Sequence, residues 1–533
     1  MVKDSGVHRH WDMEVDLVAV GASSGGLAAV ILGHDLGLTT VLLEKSEFLG
    51  GGTALSGGLL WVPFNPVMLG KGLSDSEEEA AGHIRRVGMG CHDEQLMAAY
   101  LKAGPEAIRY LEARTPLRLT TGLLQGPDYY ADLPGGKSLG RQLYADPDVM
   151  IPRLREAEKK YPLMAQVRSD PIPYLGGVRD PWSEGRGLIG GLVLACAERG
   201  INILTKVRGK RLIAEKGRVI GLHAEKDGSD FFVRAKKGVL LACGGFEHNA
   251  EMNKRFINMP DLKAYTPISN EGDGHIMGME FGAAIALMDH SIYQPVLRIE
   301  GEMVDGRQFH RPVAYGYPGN ILVNRHGKRF CNESFYPDIG RAFMARDKVN
   351  SELVNPPIYW ISDQTCARRV GTLGLAKFAK SKNWLHESNT LAGLAGQLGI
   401  PSQTLEETVS RFNSYARGGR DPDFHRGETT YQKWWGSRIF PEHQPNPALG
   451  PVETSPFYGM KLDFGTVGNL GGLVTNAHAQ VIDVRGEVIP GLYGTSNTTA
   501  LLTHGLMYTS GACQAKSLIF GYIAARHMAR ERD

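Results

Sequence analysis

The stretch VDLVAVGASSGGLAAVILGHDLGLTTVLLEKSEFLGGGTALSGG, residues 15–58, contains the pattern that decides the fold. Residues 15–20 are an apolar run of strand length, and residues 27–36 are an apolar run of helical length. A second short apolar run, residues 39–43, ends at Glu44. A strand, a helix and a strand in this order, closed by an acidic residue, predict a βαβ unit that binds a dinucleotide.

The turn that joins the first strand to the helix contains the residues expected to hold the pyrophosphate. Gly21, Gly25 and Gly26, together with Ser24, let backbone N–H groups approach a phosphate at the positive end of the helix. Ser23 stands where the middle glycine of the G-x-G-x-x-G pattern belongs, and glycine-rich turns also occur for packing reasons. The turn alone therefore leaves a nucleotide site and a packing turn as alternatives.

A second glycine-rich segment, residues 50–58, follows the acidic residue and is predicted to be another phosphate-binding loop. A nicotinamide enzyme has no need of such a segment. The pattern resembles that of the FAD-binding fumarate reductase and 3-ketosteroid dehydrogenase superfamily, whose members carry E-K-x-x-x-x-G-G-x-x-A-x-S-G-G at this place. The resemblance implies FAD as the cofactor, with Glu44 on the ribose. It adds these FAD-binding residues: Lys45, Thr53, Ala54, Ser56, Gly57 and Gly58.

Further along the chain, apolar runs predict strands at residues 201–207, 231–235 and 238–243. The order of the remaining segments also resembles this superfamily. From 286 to 460 aromatic residues and prolines increase, and the alternation of strands and helices is lost. The resemblance implies an α/β fold with a Rossmann-like FAD-binding domain of the GR2 flavoprotein type, formed by residues 1–285 and 461–533. Residues 286–460 would form an inserted α+β substrate-binding cap domain. Further FAD-binding residues implied by the resemblance are Val207, Gly244, Asp273, Asn497, Cys513 and Gln514.

Composition argues against several classes of partner. The 533 residues include 59 basic and 57 acidic side chains, a net charge of +2 that gives no electrostatic reason to expect nucleic acid or an anionic membrane. The six cysteines form no C-x-x-C pair, which favours a reduced, cytoplasmic setting over a zinc or dithiol site. Because no purely apolar run of about 18 residues occurs, we expect no transmembrane segment. Attachment to a membrane surface stays open.

Tyrosines beside superfamily motifs are the catalytic candidates. The motif G-K-R-F-x-N-E, residues 327–333, is followed by Tyr336, whereas fumarate reductases have an arginine a few residues after this motif; here the next arginine is Arg341. The resemblance to ketosteroid dehydrogenases adds Tyr129, for which its neighbour Tyr130 is an alternative. It also adds Tyr508, Ser510 and Gly511, which precede the last helix.

The roles of these residues follow from the reaction that the resemblance implies. Removing two hydrogens beside a ketone requires a proton acceptor, donors aimed at the developing enolate oxygen, and a flavin that takes the hydride. Δ1-dehydrogenases imply Tyr336 as the base, Tyr129 as its helper, and Tyr508 with Gly511 as carbonyl anchors. The pair Tyr508 and Ser510 also resembles the Y-x-S of Δ4-(5α)-dehydrogenases, whose late tyrosine lies close to the proton removed. The position desaturated in the ring therefore stays open.

The predicted function is FAD-dependent dehydrogenation of a cyclic ketone, either a 3-ketosteroid or a smaller cyclohexanone-type ring, with a quinone or another external electron acceptor. One alternative is a fumarate-reductase-like enzyme that reduces an unsaturated acid. The missing arginine and the absence of a C-x-x-C-H haem motif weaken it. A second alternative is a flavin-binding electron carrier, which would need no ketone-binding tyrosines. Because residues 50–58 have no neighbouring histidine, we expect dissociable FAD.

Overall fold

The computed structural model describes residues 10–122, 126–167, 180–259, 261–304, 307–378, 381, 383–506 and 508–531. Its strands are β1 (Met13–Val20), β2 (Thr40–Leu43), β3 (Leu60–Trp61), β4 (Leu119–Thr120), β5 (Gln142–Ala145), β6 (Asn202–Leu204), β7 (Val207–Glu215), β8 (Arg218–Lys226), β9 (Ser229–Leu241), β10 (Lys263–Ala264), β11 (Ile285–Ala286), β12 (Ser291–Val304), β13 (Arg307–Pro312), β14 (Asn320–Val323), β15 (Ile358–Ser362), β16 (His386–Ser388), β17 (Phe457–Asn469), β18 (Gly472–Leu473), β19 (Gln480–Ile482) and β20 (Val488–Gly494).

The helices lie between these strands and at the carboxyl end of the chain. They are α1 (Ser24–Asp35), α2 (Gly51–Leu55), α3 (Pro66–Gly70), α4 (Glu77–Val87), α5 (Glu94–Arg114), α6 (Pro147–Lys160), α7 (Glu184–Arg199), α8 (Ala250–Met252), α9 (Asp273–Glu280), α10 (Tyr336–Phe343), α11 (Gln364–Arg369), α12 (Thr372–Phe378), α13 (Leu391–Leu398), α14 (Ser402–Gly418), α15 (Thr430–Ser437) and α16 (Ala512–Met528).

The first sheet has the strand order β19-β20-β9-β1-β2-β6. Strands β6, β2, β1, β9 and β20 are parallel, and the antiparallel hairpin β7–β8 joins the sheet along the first half of β9. Alternate residues of β1 enter two cores: Leu17 and Ala19 pack against the helices, and Val18 and Val20 pack on the opposite face. The predicted α/β class and Rossmann-like sheet are confirmed.

Helix α1 packs directly against α16, and glycines allow this contact. A Cβ atom on Gly25 would lie 2.3 Å from the carbonyl oxygen of Ser517, and one on Gly521 would lie 2.1 Å from the carbonyl oxygen of Gly25. Any larger side chain at these two positions would separate the helices, since real Cβ atoms do not approach backbone so closely. Gly25 therefore serves helix packing as well as the predicted nucleotide turn.

The second sheet has the strand order β13-β12-β17-β15-β14, and β10 and β16 also pair with β17. Its pairings are antiparallel except that of β10 with β17. The core beneath it includes Trp360 and Phe343, both buried. The expected domain boundary between residues 460 and 461 falls inside β17, a strand of the second sheet.

The structure corrects three local predictions. Residues 50–58 are not a continuous loop: Gly50 adopts a left-handed conformation with φ of 101° and begins the short helix α2. The strand predicted at 201–207 ends at Leu204, because Lys206 has φ of 59°, and β7 starts at Val207. The strands predicted at 231–235 and 238–243 form one strand, β9, with a register shift opposite β1. Among the described residues, every helix is too short or too polar to cross a membrane.

Candidate active site

A cleft of about 1240 Å³, including the part open to solvent, lies where β1 and β2 end and α16 begins. This is the carboxyl edge of the parallel strands, where open α/β sheets bind their ligands. The cleft wall contains these residues predicted from the sequence: Gly21, Glu44, Lys45, Thr53, Ser56, Gly57, Val207, Gly244, Asp273, Asn497, Tyr508, Ser510, Gly511, Cys513 and Gln514.

Other predicted FAD-binding residues lie behind the cleft wall and form hydrogen bonds with it. The backbone N–H of Gly25 donates to Ser517 Oγ (3.0 Å), and the N–H of Gly26 donates to Ser23 Oγ (3.3 Å). Ser23 thus caps α1, which gives the serine a structural reason to replace the expected glycine. The predicted FAD-binding residues that do not line the cleft are Ser24, Gly25, Gly26, Ala54 and Gly58.

Glu44 is a buried carboxylate at the end of β2. Its Oε2 accepts a hydrogen bond from the N–H of Ala22 (2.9 Å), and its Oε1 accepts one from the N–H of Ser46 (2.9 Å). Burial raises the pKa of Glu44 despite these two hydrogen bonds. Each carboxylate oxygen has a second lone pair, so Glu44 can still accept a ribose hydroxyl.

Lys45 and Asp273 belong to a cluster of charges at the same end of the cleft. Lys45 Nζ lies 2.8 Å from Asp273 Oδ2 and 3.1 Å from Glu271 Oε2. Arg208 also contacts Asp273 (2.7 Å), and Arg307 contacts Glu271 (3.0 Å). Three cations thus meet two carboxylates, so this end of the cleft has a fixed polar wall with a small net positive charge.

The arrangement fits FAD. A Cβ atom on Gly21, whose φ is 105°, would lie 2.3 Å from the Ala242 carbonyl oxygen, so only glycine permits this tight turn. The amino end of α1 faces the cleft, as the pyrophosphate requires, and the Glu44 carboxylate lines the same cleft. Thr53 Oγ1 donates to Gln514 Oε1 (2.6 Å) and thereby joins α2 to α16 across the cleft.

The tyrosine candidates meet beside the start of α16. Tyr508 lines the cleft, and its ring centroid lies 6.0 Å from that of the buried Tyr129. Tyr129 lies 4.5 Å from Tyr431 in an edge-to-face contact. Tyr336 begins α10, and its side chain lies outside the described part of the structure. Its neighbour Phe335 contacts Tyr129 at 6.1 Å, which brings the start of α10 to the same cluster.

Tyr130 has different surroundings from Tyr129. Its ring contacts Phe335 at 5.4 Å. Burial raises the pKa of Tyr130, and the positive charge of Arg341 opposes that rise. Tyr129 contacts the ring of Tyr508, and Tyr130 lines a small cavity together with Tyr508, so both tyrosines stay candidates.

Gly511 starts α16 at the wall of the cleft. Its φ is 90°, and a Cβ atom there would lie 2.8 Å from the backbone nitrogen of Trp61. The N–H of Trp61 donates to the carbonyl oxygen of Gly511 (3.2 Å), which fixes the Gly511–Ala512 peptide at the start of the helix. A helix start held in this way presents backbone N–H groups that can polarise a ketone oxygen.

Sequence reasoning missed three residues at the site. Tyr431 lies in the aromatic run of α15, and nothing local distinguishes it from a packing residue. Glu247 lines the cleft as a buried carboxyl whose pKa is raised by burial. Lys516 donates to the carbonyl oxygens of Ser496 and Thr499 (both 2.6 Å), and burial lowers the pKa of Lys516 to about 8. The sequence does contain a signal for Lys516, because a lysine among the apolar residues of α16 indicates a buried charge with a specific role.

The motif that precedes Tyr336 is structural. Arg329 binds Glu333 (2.7 Å) and Asp421 (2.8 Å), and Arg426 reaches Glu333 at 3.3 Å. All four side chains are almost fully buried. This network fixes the segment from which α10, with Tyr336, begins.

Comparisons with known proteins agree with this geometry. The family model described as FAD binding domain matches residues 16–513. The chain is 33% identical over 545 residues to the 4-oxocyclohexanecarboxylate 2-dehydrogenase of Sinomonas cyclohexanicum, with 96% of this chain and 92% of that protein covered. It is 31% identical over 564 residues to the 3-oxosteroid 1-dehydrogenase of Mycobacterium tuberculosis, with 97% and 98% covered.

A solved structure is similar over nearly the whole chain. It is the 3-ketosteroid delta1-dehydrogenase from Sterolibacterium denitrificans in complex with 1,4-androstadiene-3,17-dione, with a TM-score of 0.85 and 28% identity. The match covers 97% of this chain and 99% of that one. The similarity therefore includes both sheets and the segments between them.

Proposed function

The chain belongs to the FAD-dependent 3-ketosteroid dehydrogenase family, and on this premise we propose that it desaturates a cyclic ketone beside its carbonyl group. It is an FAD-dependent oxidoreductase that acts on CH–CH bonds. The observation that carries the proposal is the position of Tyr508, which lines the cofactor cleft and contacts the Tyr129–Tyr431 pair.

The chemistry explains why tyrosines gather here. A proton beside a ketone becomes acidic when donors stabilise the developing enolate oxygen, and a hydroxyl or backbone N–H supplies such a donor without burying a full charge. In the Δ1-type arrangement Tyr508 and Gly511 hold the carbonyl, and Tyr336, helped by Tyr129, takes the proton. In the Δ4-type arrangement Tyr508, beside Ser510, lies close to that proton.

FAD, when bound, accepts the hydride, and this chain's own residues hold the cofactor and move the proton. The turn at Gly21 and the start of α1 would hold the pyrophosphate, and Glu44 would hold the ribose. Thr53 and Gln514, which are joined across the cleft, would orient the rest of the cofactor. We propose that the other FAD-binding residues predicted from the sequence hold the cofactor as well.

The substrate is a 3-ketosteroid or a smaller cyclohexanone-type ring, because both kinds of ketone appear in the names of the relatives. The electron acceptor is an external one, such as a quinone. A cytoplasmic setting agrees with the six free thiols of the described chain. We also keep the division into a FAD-binding domain, residues 1–285 and 461–533, and a cap domain, residues 286–460, as a proposal.

The alternative activities have less support. A fumarate-reductase-like enzyme needs cationic groups to hold its carboxylates. In the segment after Glu333 the first cationic side chain is Arg341. It is exposed, and its positive charge opposes the rise in the pKa of Tyr130. A carrier without its own turnover would not need Tyr129, Tyr431 and Tyr508 at the edge of the cofactor cleft.

An anaerobic titration tests the function. The FAD-bound protein is mixed with a 3-ketosteroid, with a cyclohexanone, or with fumarate and an electron donor, and the flavin absorbance is followed. We expect one of the two ketones to bleach the flavin and fumarate to leave the reduced flavin unoxidised. Reoxidation by fumarate, without bleaching by either ketone, would contradict the proposal.

Substitution of single hydroxyls tests the roles. Tyr336→Phe and Tyr508→Phe should each slow flavin reduction by ~100-fold or more, which is typical of a lost general base or oxyanion donor. Loss of the anchor should weaken ketone binding more than loss of the base. Tyr110→Phe is a matched control, since its hydroxyl binds Asp35 (2.9 Å) away from the cleft. Near wild-type rates in both active-site variants would show that the tyrosine assignment is wrong.

A further inference from the structure

Lys516 is a buried lysine on α16, and its hydrogen bonds show in which form it is present. Its Nζ atom donates to the carbonyl oxygens of Ser496 and Thr499 (both 2.6 Å) and to Thr499 Oγ1 (3.0 Å). The Thr499 hydroxyl gives its own hydrogen to the Ser496 carbonyl oxygen (3.2 Å), so it accepts from Lys516. Three acceptors need three hydrogens, which the ammonium form has and a neutral amine lacks. Lys516 is therefore a positive charge inside the protein.

The groups around Lys516 do not cancel its charge. Among the described residues, no carboxylate forms an ion pair with Lys516, whose three hydrogens go to carbonyl and hydroxyl groups. The titratable groups that face it are His275, His504 and Cys513. Burial lowers the pKa of His275 to about 4 and that of His504 to about 3, and it raises the pKa of the Cys513 thiol to about 12. These three groups are uncharged at neutral pH. A buried lysine without an opposite charge is rare in proteins and typical of functional sites.

The charge lies directly behind the wall of the cofactor cleft. Ser496, whose carbonyl oxygen accepts from Lys516, lines the cleft, and so does Cys513, which lies on α16 three residues before Lys516. Tyr508 and Gly511 line the cleft where the same helix begins. In both arrangements of the proposed function Tyr508 contacts the substrate, and the reacting ring of the cofactor must lie against that substrate. Lys516 is therefore at the end of the cleft that receives the hydride.

A positive charge at this place acts on the reduction of the flavin. Hydride transfer adds one negative charge to the site, because a hydride consists of one proton and two electrons. A neighbouring cation stabilises the charged product more than the uncharged oxidised ring, and the protein interior screens this attraction less than water does. At an effective dielectric constant of about 20, a unit charge even about 10 Å away favours the reduced form by more than ~10-fold.

We propose that Lys516 is a positioning residue that raises the reduction potential of the bound flavin. Its ammonium group holds residues 496–499 against α16 and places a positive charge beside the ring that is reduced. Two electrons and one proton pass from the substrate carbon to the cofactor, as in the proposed reaction, and no bond of Lys516 forms or breaks. The inference rests on the proposed function for the place of the flavin ring, but its test needs no ketone.

The variant Lys516→Met tests this role, because it removes the charge and keeps the length of the side chain. The FAD-bound protein is reduced stepwise without oxygen beside a redox dye of known potential, and the absorbances give the ratio of reduced to oxidised flavin. At a fixed dye potential this ratio should fall at least ~10-fold, which equals about 30 mV for a two-electron couple. A ratio within about twofold of wild type in the folded variant would overturn the proposal, even where a ketone bleaches the flavin.

Two further variants separate the charge from the hydrogen bonds. Thr499→Val removes one acceptor of Lys516 at nearly constant volume and keeps the charge, so the ratio should stay within about twofold of wild type. A shift as large as that of Lys516→Met would show that the hydrogen bonds, and not the charge, set the potential. Lys71→Met is the matched control. Lys71 also donates to a backbone carbonyl (Thr121, 2.6 Å) and a threonine hydroxyl (Thr120, 2.8 Å), and it does not line the cleft. This variant should leave the ratio unchanged.

A measurement on the wild-type protein serves if Lys516→Met does not fold. Burial lowers the pKa of Lys516 to about 8, so with oxidised flavin the charge is lost as the pH rises through that value. With reduced flavin the negative charge on the ring keeps the proton on Lys516 to higher pH. The potential should therefore fall more steeply with pH between about 8 and the ordinary lysine pKa of about 10, and an unchanged slope would contradict the proposal. If the potential behaves as expected but no ketone bleaches the flavin, the proposed function fails and the role of Lys516 stands.

Discussion

Replacing Glu44 by glutamine tests how the cleft holds its cofactor. Both oxygens of the Glu44 carboxylate accept backbone N–H groups, from Ala22 and from Ser46, each at 2.9 Å. A glutamine side chain can accept only one of these N–H groups, and its NH₂ group then faces the other donor. The same change removes the negative charge that would accept a ribose hydroxyl.

The size of the effect follows from these hydrogen bonds. A hydrogen bond to a charged partner contributes about 1.5–3 kcal/mol, so the apoprotein should lose about that much of its free energy of unfolding. The hydrogen bond from a ribose hydroxyl to the charged Glu44 carboxylate has the same strength, so its loss should weaken FAD binding by the same free energy. At 1.4 kcal/mol for each factor of ten, FAD affinity should fall by about 10- to 150-fold.

Two measurements separate the two effects. Urea unfolding of the apoprotein gives the change in stability, and fluorescence titration of the apoprotein with FAD gives the change in affinity. Glu47→Gln is the matched control, since Glu47, three residues later, is exposed and forms an ion pair with Lys206 (3.3 Å). FAD affinity within about twofold of wild type in Glu44→Gln would refute the assignment of Glu44.

The pH dependence of FAD binding provides an independent check. Burial raises the pKa of Glu44, so its protonation begins at a higher pH than that of exposed carboxyl groups. Since only the ionised form accepts hydrogen bonds at both oxygens, FAD affinity should fall as the pH is lowered. Glu44→Gln should remove this part of the pH dependence.

Three further predictions concern stability. Glu333→Gln should lower the free energy of unfolding by about 3–5 kcal/mol in urea, because it leaves the buried Arg329 without its full partner. Below pH 6.5 the unfolded chain takes up a proton at His310 that the native chain refuses, since burial lowers the pKa of His310 to about 4. As the pH is lowered below 6.5, this group should therefore decrease the free energy of unfolding by up to about 1.4 kcal/mol per pH unit. His310→Gln should flatten the dependence of the calorimetric stability on pH. Gly521→Ala should cost about 1–3 kcal/mol and weaken FAD binding, whereas Gly396→Ala, where a Cβ atom meets nothing within 4 Å, should be neutral or stabilising.

The nucleotide-binding half of the fold could be predicted because its signals are local. A strand, a glycine-rich turn and an apolar helix follow one another in residues 15–58, and each has its own periodicity. Boundaries were less accurate where backbone conformation decides them, as at Gly50 and Lys206, which both have positive φ. Sequence patterns do not reveal such single-residue conformations unless the residue type requires them.

The aromatic part of the site could be predicted only in part. Motifs predict Tyr129 and Tyr508 as site residues, whereas Tyr431 lies on α15, and tertiary packing brings it to 4.5 Å from Tyr129. The small cavity beside Tyr508 is likewise lined by α4 and by the segment before α16, which lie far apart in the chain. No periodicity within either segment indicates that they meet.

Helix α16 links the cofactor cleft to the tyrosine cluster. Gln514 near its start binds Thr53 across the cleft (2.6 Å), and Lys516 holds the carbonyl oxygens of the segment that contains Asn497. Tyr508 lies directly before the same helix, so its position is fixed by the contacts that shape the FAD site. Tyr431, in contrast, is contributed by a helix beyond the first sheet, as α10 with Tyr336 is. The two arrangements of tyrosine roles therefore differ in which element carries the base. In the Δ4-type arrangement it is Tyr508, which the FAD-binding fold positions. In the Δ1-type arrangement it is Tyr336, which α10 positions.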